Sequence, residues 1–168
     1  MLSHWKDSRL YSLRVEDSTD SPTQSSLTAL KDGDANADCS VCFARTLALL
    51  SLRRLYLHAN GMTVEGLLEC FESLRSKPTL ELFIIKNEAA MNHSKVLSAL
   101  LQCLPTLNIT KLTLTGNNFT ESQVTQVLQA AAKMAKLNVL YVKDSNAFTT
   151  EHEALLVDGR LEGRVFVR

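Results

Sequence analysis

Leu52-Arg53-Arg54-Leu55-Tyr56-Leu57-His58-Ala59-Asn60 is the stretch that decides the fold. It follows the pattern L-x-x-L-x-L-x-x-N, and its Leu55-x-Leu57 core has the two-residue period of a strand with one buried face. Outward from it, Ile109, Leu112, Leu114 and Asn117 fill the same slots. Leu82, Ile84 and Asn87 do so with Thr79 in the first slot, and Leu137, Leu140 and Val142 do so with Ser145 in place of asparagine. The starts at 52, 79, 109 and 137 lie 27, 30 and 28 residues apart, a spacing that marks an internal array. A weaker copy stands upstream at Leu10, Leu13, Val15 and Ser18, with Asp20 where an apolar residue is expected. Val165-Phe166-Val167 reads as a last strand.

Between these strands the hydrophobic period changes from 2 to 3.6. Val64, Leu67, Leu68, Phe71 and Leu74 form one helical face after Asn60. Leu97, Leu100, Leu101 and Leu104 form the next, and Val124, Val127, Leu128, Ala131 and Ala135 the third. Pro78 and Pro105 stop the first two helices. Thr120 with Gln123 makes a capping box, with Phe119 placed to staple onto Val124. Thr150 with Glu153 offers a similar box before Ala154, Leu155 and Leu156. The segment from 40 to 50, with Phe43, Leu47 and Leu50 on one face, reads as the helix before the first strong strand.

These motifs resemble the leucine-rich repeat family, in particular its long-repeat, ribonuclease-inhibitor-like subfamily. The likeness is strongest over residues 52–148 and covers the whole chain loosely. It implies an α/β fold: a curved solenoid of about five or six turns, parallel sheet inside and helices outside. Each strand–helix unit buries its apolar face only against its neighbours. In such a fold Asn60, Asn87 and Asn117 form a structural ladder whose amides satisfy the backbone of the bends. Ser145 departs from that pattern.

The chain has 168 residues, with 18 Lys+Arg against 18 Asp+Glu and 45 % hydrophobic residues. That suits a single domain over 1–168 with a packed core and argues against nucleic acid as the partner. No apolar run reaches the length of a membrane helix. The N-terminal residues show no signal-peptide pattern, so a cytoplasmic location is expected. Residues 17–38 are polar and serine-rich at their start and read as an exposed, mobile insertion.

The candidate chemistry is thin. Asp32-Gly33-Asp34-Ala35-Asn36-Ala37-Asp38 alternates oxygen ligands as a calcium loop does. However, Ala37 replaces the turn glycine and Phe43 the bidentate glutamate, so it reads as a solvated loop with Asp38 capping a helix. Cys39-Ser40-Val41-Cys42 lacks a second ligand pair for zinc, and Cys70 and Cys103 fall in separate helices. His4, His58, His93 and His152 are scattered, and no nucleophile motif accompanies them. The sequons at Asn92, Asn108 and Asn118 matter only in a secreted protein. No cofactor, metal site or catalytic residue is assigned, and the chain is read as a non-enzyme.

The face opposite the leucines carries the site reading. Taking Leu55/Leu57, Leu82/Ile84, Leu112/Leu114 and Leu140/Val142 as inward, the residues between them point away: Arg14, Tyr56, Phe83, Thr113 and Tyr141. Flanking them are Arg54 and His58, Glu81 and Ile85, Lys111 and Thr115, Val139 and Lys143. The partner-binding set is therefore Arg54, Tyr56, His58, Phe83, Ile85, Thr113, Val139, Tyr141 and Lys143. An aromatic row with an apolar neighbour on a face that should be polar marks an interface with another protein. The expected function is a non-catalytic interaction module or a subunit of a larger assembly. The alternatives are a regulator of a small GTPase and a repeat fragment of an intracellular receptor.

Overall fold

The computed structural model describes residues 12–16, 35–50, 52–75, 77–143 and 146–158. Leu10 and Ser18 of the upstream copy, the strand read at Val165–Val167, Ser145 in the asparagine slot and most of the polar insertion lie outside those residues. Five strands pair in parallel and in sequence order: β1 (Ser12–Glu16), β2 (Arg54–His58), β3 (Leu82–Lys86), β4 (Lys111–Thr113) and β5 (Val139–Tyr141). Parallel neighbours need a crossover, and helices supply it. These are α1 (Ala35–Leu49), α2 (Val64–Arg75), α3 (Ser94–Cys103), α4 (Glu121–Ala132) and α5 (Thr150–Asp158). The chain is thus α/β, with each helix packed beside the next. Residues 35–38, read as the end of the insertion, belong to α1, so Asp38 lies inside that helix rather than capping it.

Alternate residues of the strands are fully buried: Leu55 and Leu57, Phe83 and Ile85, Leu112 with Leu114, Leu140 with Val142. They share one core with Leu67, Phe71 and Leu74 of α2, Val96, Leu97 and Leu100 of α3, and Val124, Val127 and Leu128 of α4. The helices therefore cover one face of the sheet. The third helical stripe is as read, except that α4 ends at Ala132 and Ala135 is exposed. In α3 the buried stripe turns toward Val96, leaving Leu101 half-buried and Leu104 in a following 3₁₀ turn. Thr120 and Gln123 form the capping box as expected, each side chain bonding the other residue's backbone N–H. At α5 the capping side chain is His152, bonded to Thr149, one residue before the expected Thr150 and Glu153. The imidazole Nδ1 accepts from Thr149 N at 2.9 Å, as a capping-box glutamate would.

Strand β3 overturns the sequence register by one residue. Phe83 and Ile85 are fully buried, whereas Leu82 and Ile84 are half-buried on the other face. A one-residue slip exchanges the faces of every side chain in a strand. The copy here starts at Leu80 rather than Thr79 and runs Leu80, Phe83, Ile85, Glu88. Leu80 is fully buried, and Phe83 packs edge-on against Phe71 at 6.5 Å between ring centroids. A buried leucine and a ring filling the core outweigh a threonine start with an asparagine end.

The slip also reassigns the ladder. Glu88, not Asn87, stands in the bend beside Asn60 and Asn117, and it is fully buried. Its carboxylate accepts from Asn60 N at 2.7 Å, Asn60 Nδ2 at 3.0 Å and Met62 N at 3.1 Å. Its own N–H donates to Asn117 Oδ1 at 3.0 Å. Asn117 Nδ2 in turn donates to Leu114 O and Ile85 O. Asn146, next to the expected Ser145, completes the line: its Nδ2 donates to Leu114 O and Val142 O, and its Oδ1 accepts from Phe119 N. Asn87 is exposed with a left-handed backbone (φ 53°), a conformation shared by Ala59 and Gly116, each one residue before a ladder position. Gly116 suits its positive φ of 75°, and a Cβ there would stand 1.7 Å from Asn87 Oδ1, so that exposed side chain would have to move.

One lysine completes the frame. Lys77 is buried, and its Nζ donates to Ala48 O at 2.6 Å and Leu50 O at 2.7 Å. It places a cation on the carbonyl end of α1. Burial lowers the pKa of this ammonium, and the two carbonyls oppose that shift by binding its charged form.

Two stability measurements check this frame. In urea unfolding, Phe83→Ala costs about 3–5 kcal/mol as a large-to-small core change, whereas Ile84→Ala stays within about 1.5 kcal/mol because its side chain is half in solvent. Glu88→Ala leaves three donors facing a void and costs about 3 kcal/mol or more.

Candidate functional site

With the helices on one face, the sheet's other face is built from the remaining strand positions. Strand register sorts them into rows. The first runs Arg54, Leu82, Lys111, Val139. The second runs Tyr56, Ile84, Thr113, Tyr141. A third, shorter row pairs His58 with Lys86. In β1 the positions level with Arg54, Tyr56 and His58 are Ser12, Arg14 and Glu16.

Of the nine residues read as partner-binding, Arg54, Tyr56, His58, Thr113, Val139 and Tyr141 fall on this face. Phe83 and Ile85 do not, because the corrected register puts them in the core. Their places belong to Leu82, Ile84 and Lys86. The more even spacing of 28, 29 and 28 residues between Leu52, Leu80, Ile109 and Leu137 is the sequence signal for that register. Lys143 lies two residues beyond β5, is exposed, and pairs with Glu153 of α5 at 3.9 Å. Glu81 precedes β3 and pairs with Arg53 at 3.4 Å, so neither of those charges belongs to the rows.

The middle row is apolar and aromatic. Tyr56, Ile84 and Tyr141 are half-buried, and Thr113 is only 3 % exposed. Thr113 Oγ1 is the one buried side-chain polar atom among the described residues without a hydrogen-bond partner. Buried hydroxyls are nearly always satisfied. Lys111 Nζ lies 5.1 Å from the Tyr141 ring centroid, a cation held over an aromatic face. At the edge of the face, Asn87 Nδ2 meets His58 Nε2 at 2.8 Å. The ten outward positions of β2 to β5 include three Lys or Arg and no Asp or Glu. The described helices hold the acids instead: Glu65, Glu69 and Glu72 on α2, Glu121 on α4, Glu151 and Glu153 on α5.

Among the described residues no other cluster has comparable content. His152 is buried and lies 3.0 Å from Thr125 Oγ1, a spacing that suits a base and its nucleophile. Its bonding excludes that role in this arrangement. Nδ1 accepts from Thr149 N–H, so the ring hydrogen is assigned to Nε2, which donates to Glu121 O at 3.0 Å. Thr125 Oγ1 also donates to Glu121 O, so no basic nitrogen faces it. Cys70 and Cys103 are free and buried. Burial raises both thiols, Cys103 to about 11, which withholds the thiolate that redox or metal chemistry requires. Among the described residues no three His, Cys, Asp or Glu converge to hold a metal ion. The side chains of Asp32–Asp38, Cys39 and Cys42 lie outside the described residues. No described helix is long and apolar enough to cross a membrane.

The chain matches no family model, and no curated protein aligns with it. The face is therefore assessed on its own chemistry.

Thr113→Val tests whether the orphan hydroxyl belongs to the free protein's stability. Removing an unsatisfied buried hydroxyl leaves stability unchanged or raises it by up to about 1 kcal/mol, read as the midpoint of thermal or urea unfolding.

Proposed function

We infer that this chain is a non-catalytic protein-binding module of the leucine-rich repeat kind, which engages a partner through the outward face of its sheet. The observation that carries this reading is the Tyr56–Ile84–Thr113–Tyr141 row. Such a stripe on a sheet face is the composition of an interface centre, with aromatic and aliphatic anchors around one polar group. The kinship with leucine-rich repeats rests on the strand–helix units of 28 or 29 residues and on the hydrogen-bonded polar line at Asn60, Glu88, Asn117 and Asn146. A binding role needs no reactive group, and the buried thiols and the capping role of His152 agree with it.

The test is an affinity capture from native extract with the intact chain and with Ile84→Asp/Tyr141→Asp. Both residues are half-buried on the outward face, so the far-ultraviolet circular dichroism stays unchanged. A partner held by the natural chain is lost from the variant by at least about 10-fold, because two interface anchors are replaced by charges. Equal capture by both would move the interface to the helices.

A further inference from the structure

We propose that the occupant of this face is an acidic protein segment with apolar side chains, lying across β2 to β5 with its carboxylates on Arg54, Lys86 and Lys111. The proposal deepens the partner-binding reading above and rests on it.

The whole chain is charge-balanced, 18 against 18, yet the two faces are not. The outward strand positions of β2 to β5 carry cations and no acid. Among the described residues no carboxylate forms an ion pair with Arg54, Lys86 or Lys111. At the β1 edge the register adds one cation position and one acid position, Arg14 and Glu16, leaving the excess unchanged. Because strands repeat at about 4.8 Å, the Tyr56-to-Tyr141 row is about 14 Å long, the span of roughly four extended residues. Arg54 and Lys111 flank it on one side and Lys86 on the other, each about 7 Å away along its strand. That distance suits an Asp or Glu on a segment whose apolar side chains rest on the row.

Other occupants fit less well. A second copy docked by the same face would bring cation onto cation, since a two-fold interface pairs a patch with itself. A single strand of nucleic acid requires successive stacking platforms, but Ile84 and Thr113 stand between the two tyrosines and the chain has no net positive charge.

The experiment is selection of random displayed peptides of about 12 residues on the folded chain, followed by anisotropy with the leading peptide synthesised. The enriched peptides carry net negative charge and at least two aliphatic or aromatic residues. Their affinity falls about 10-fold or more in Lys86→Glu/Lys111→Glu and falls again as salt rises, since charges across an interface govern encounter and salt response. The matched control Lys133→Glu/Lys136→Glu, at exposed positions after α4, stays within about 2-fold because its charges lie off the face. Should the reversal variant lose its circular dichroism, Lys86→Gln/Lys111→Gln gives the same direction with a smaller loss. A neutral or basic consensus, no enrichment, indifference to both charge variants, or tighter binding of an oligothymidylate would each overturn the proposal. Binding lost in Ile84→Asp/Tyr141→Asp but intact in Lys86→Glu/Lys111→Glu would overturn the acidic partner while leaving the docking face standing.

Discussion

The structure depends on how the bends after its strands satisfy their backbone. Each strand must turn out of a parallel sheet into a helix, and the turn buries N–H and C=O groups that the sheet does not pair. Left unbonded, each would cost about 1–3 kcal/mol. The line through Asn60, Glu88, Asn117 and Asn146 removes that cost by binding bend to bend across neighbouring units. Glu88 is the informative member. A carboxylate has no hydrogen to donate, so it sits where three donors converge. The amides of Asn117 and Asn146 sit where donors and acceptors are mixed. The chemical identity of each residue in the line follows from the balance of groups it meets.

Most of this was legible in the sequence, and the exceptions have physical causes. Where the template and the hydrophobic volumes agreed, at Leu52–Asn60 and Ile109–Asn117, strand and register followed. At β3 they disagreed. Asn87 completed a motif whose first slot held Thr79, while the larger burial lay one residue on, at Leu80, Phe83 and Ile85. Volume decided, and the apparent motif asparagine became an exposed left-handed turn residue. The same slip turned two expected surface residues into core and brought Leu82, Ile84 and Lys86 to the face. The cap of α5 was misplaced for a related reason: a histidine nitrogen does the work the template reserves for a glutamate oxygen. Lys77 carried no local periodic signal, since its carbonyl partners lie 29 and 27 residues earlier in the chain.

The sheet's two faces divide the labour. The helix-covered face spends nearly all its positions on packing, with its polar atoms fixed in the bends. The other face keeps cations, tyrosines and one unsatisfied hydroxyl without contributing to the core. A chain that needed only to fold would be better served by polar groups with partners at Thr113 and Ile84.

The sequential pairing of units has a consequence for how the molecule opens. Every strand bonds the strand before and after it, and every helix packs on its chain neighbours. Among the described residues no strand pairs beyond its chain neighbours. Local openings therefore start at the ends and advance inward one unit at a time, with free energies rising toward the middle. Amide protons around Glu88 and Asn117, bonded on both sides, are the last to exchange with solvent. Paired strands lie 28 or 29 residues apart from β2 to β5 and 42 apart at β1–β2, so each pairing closes a loop of about one strand–helix unit, and the entropy cost grows only slowly with that length.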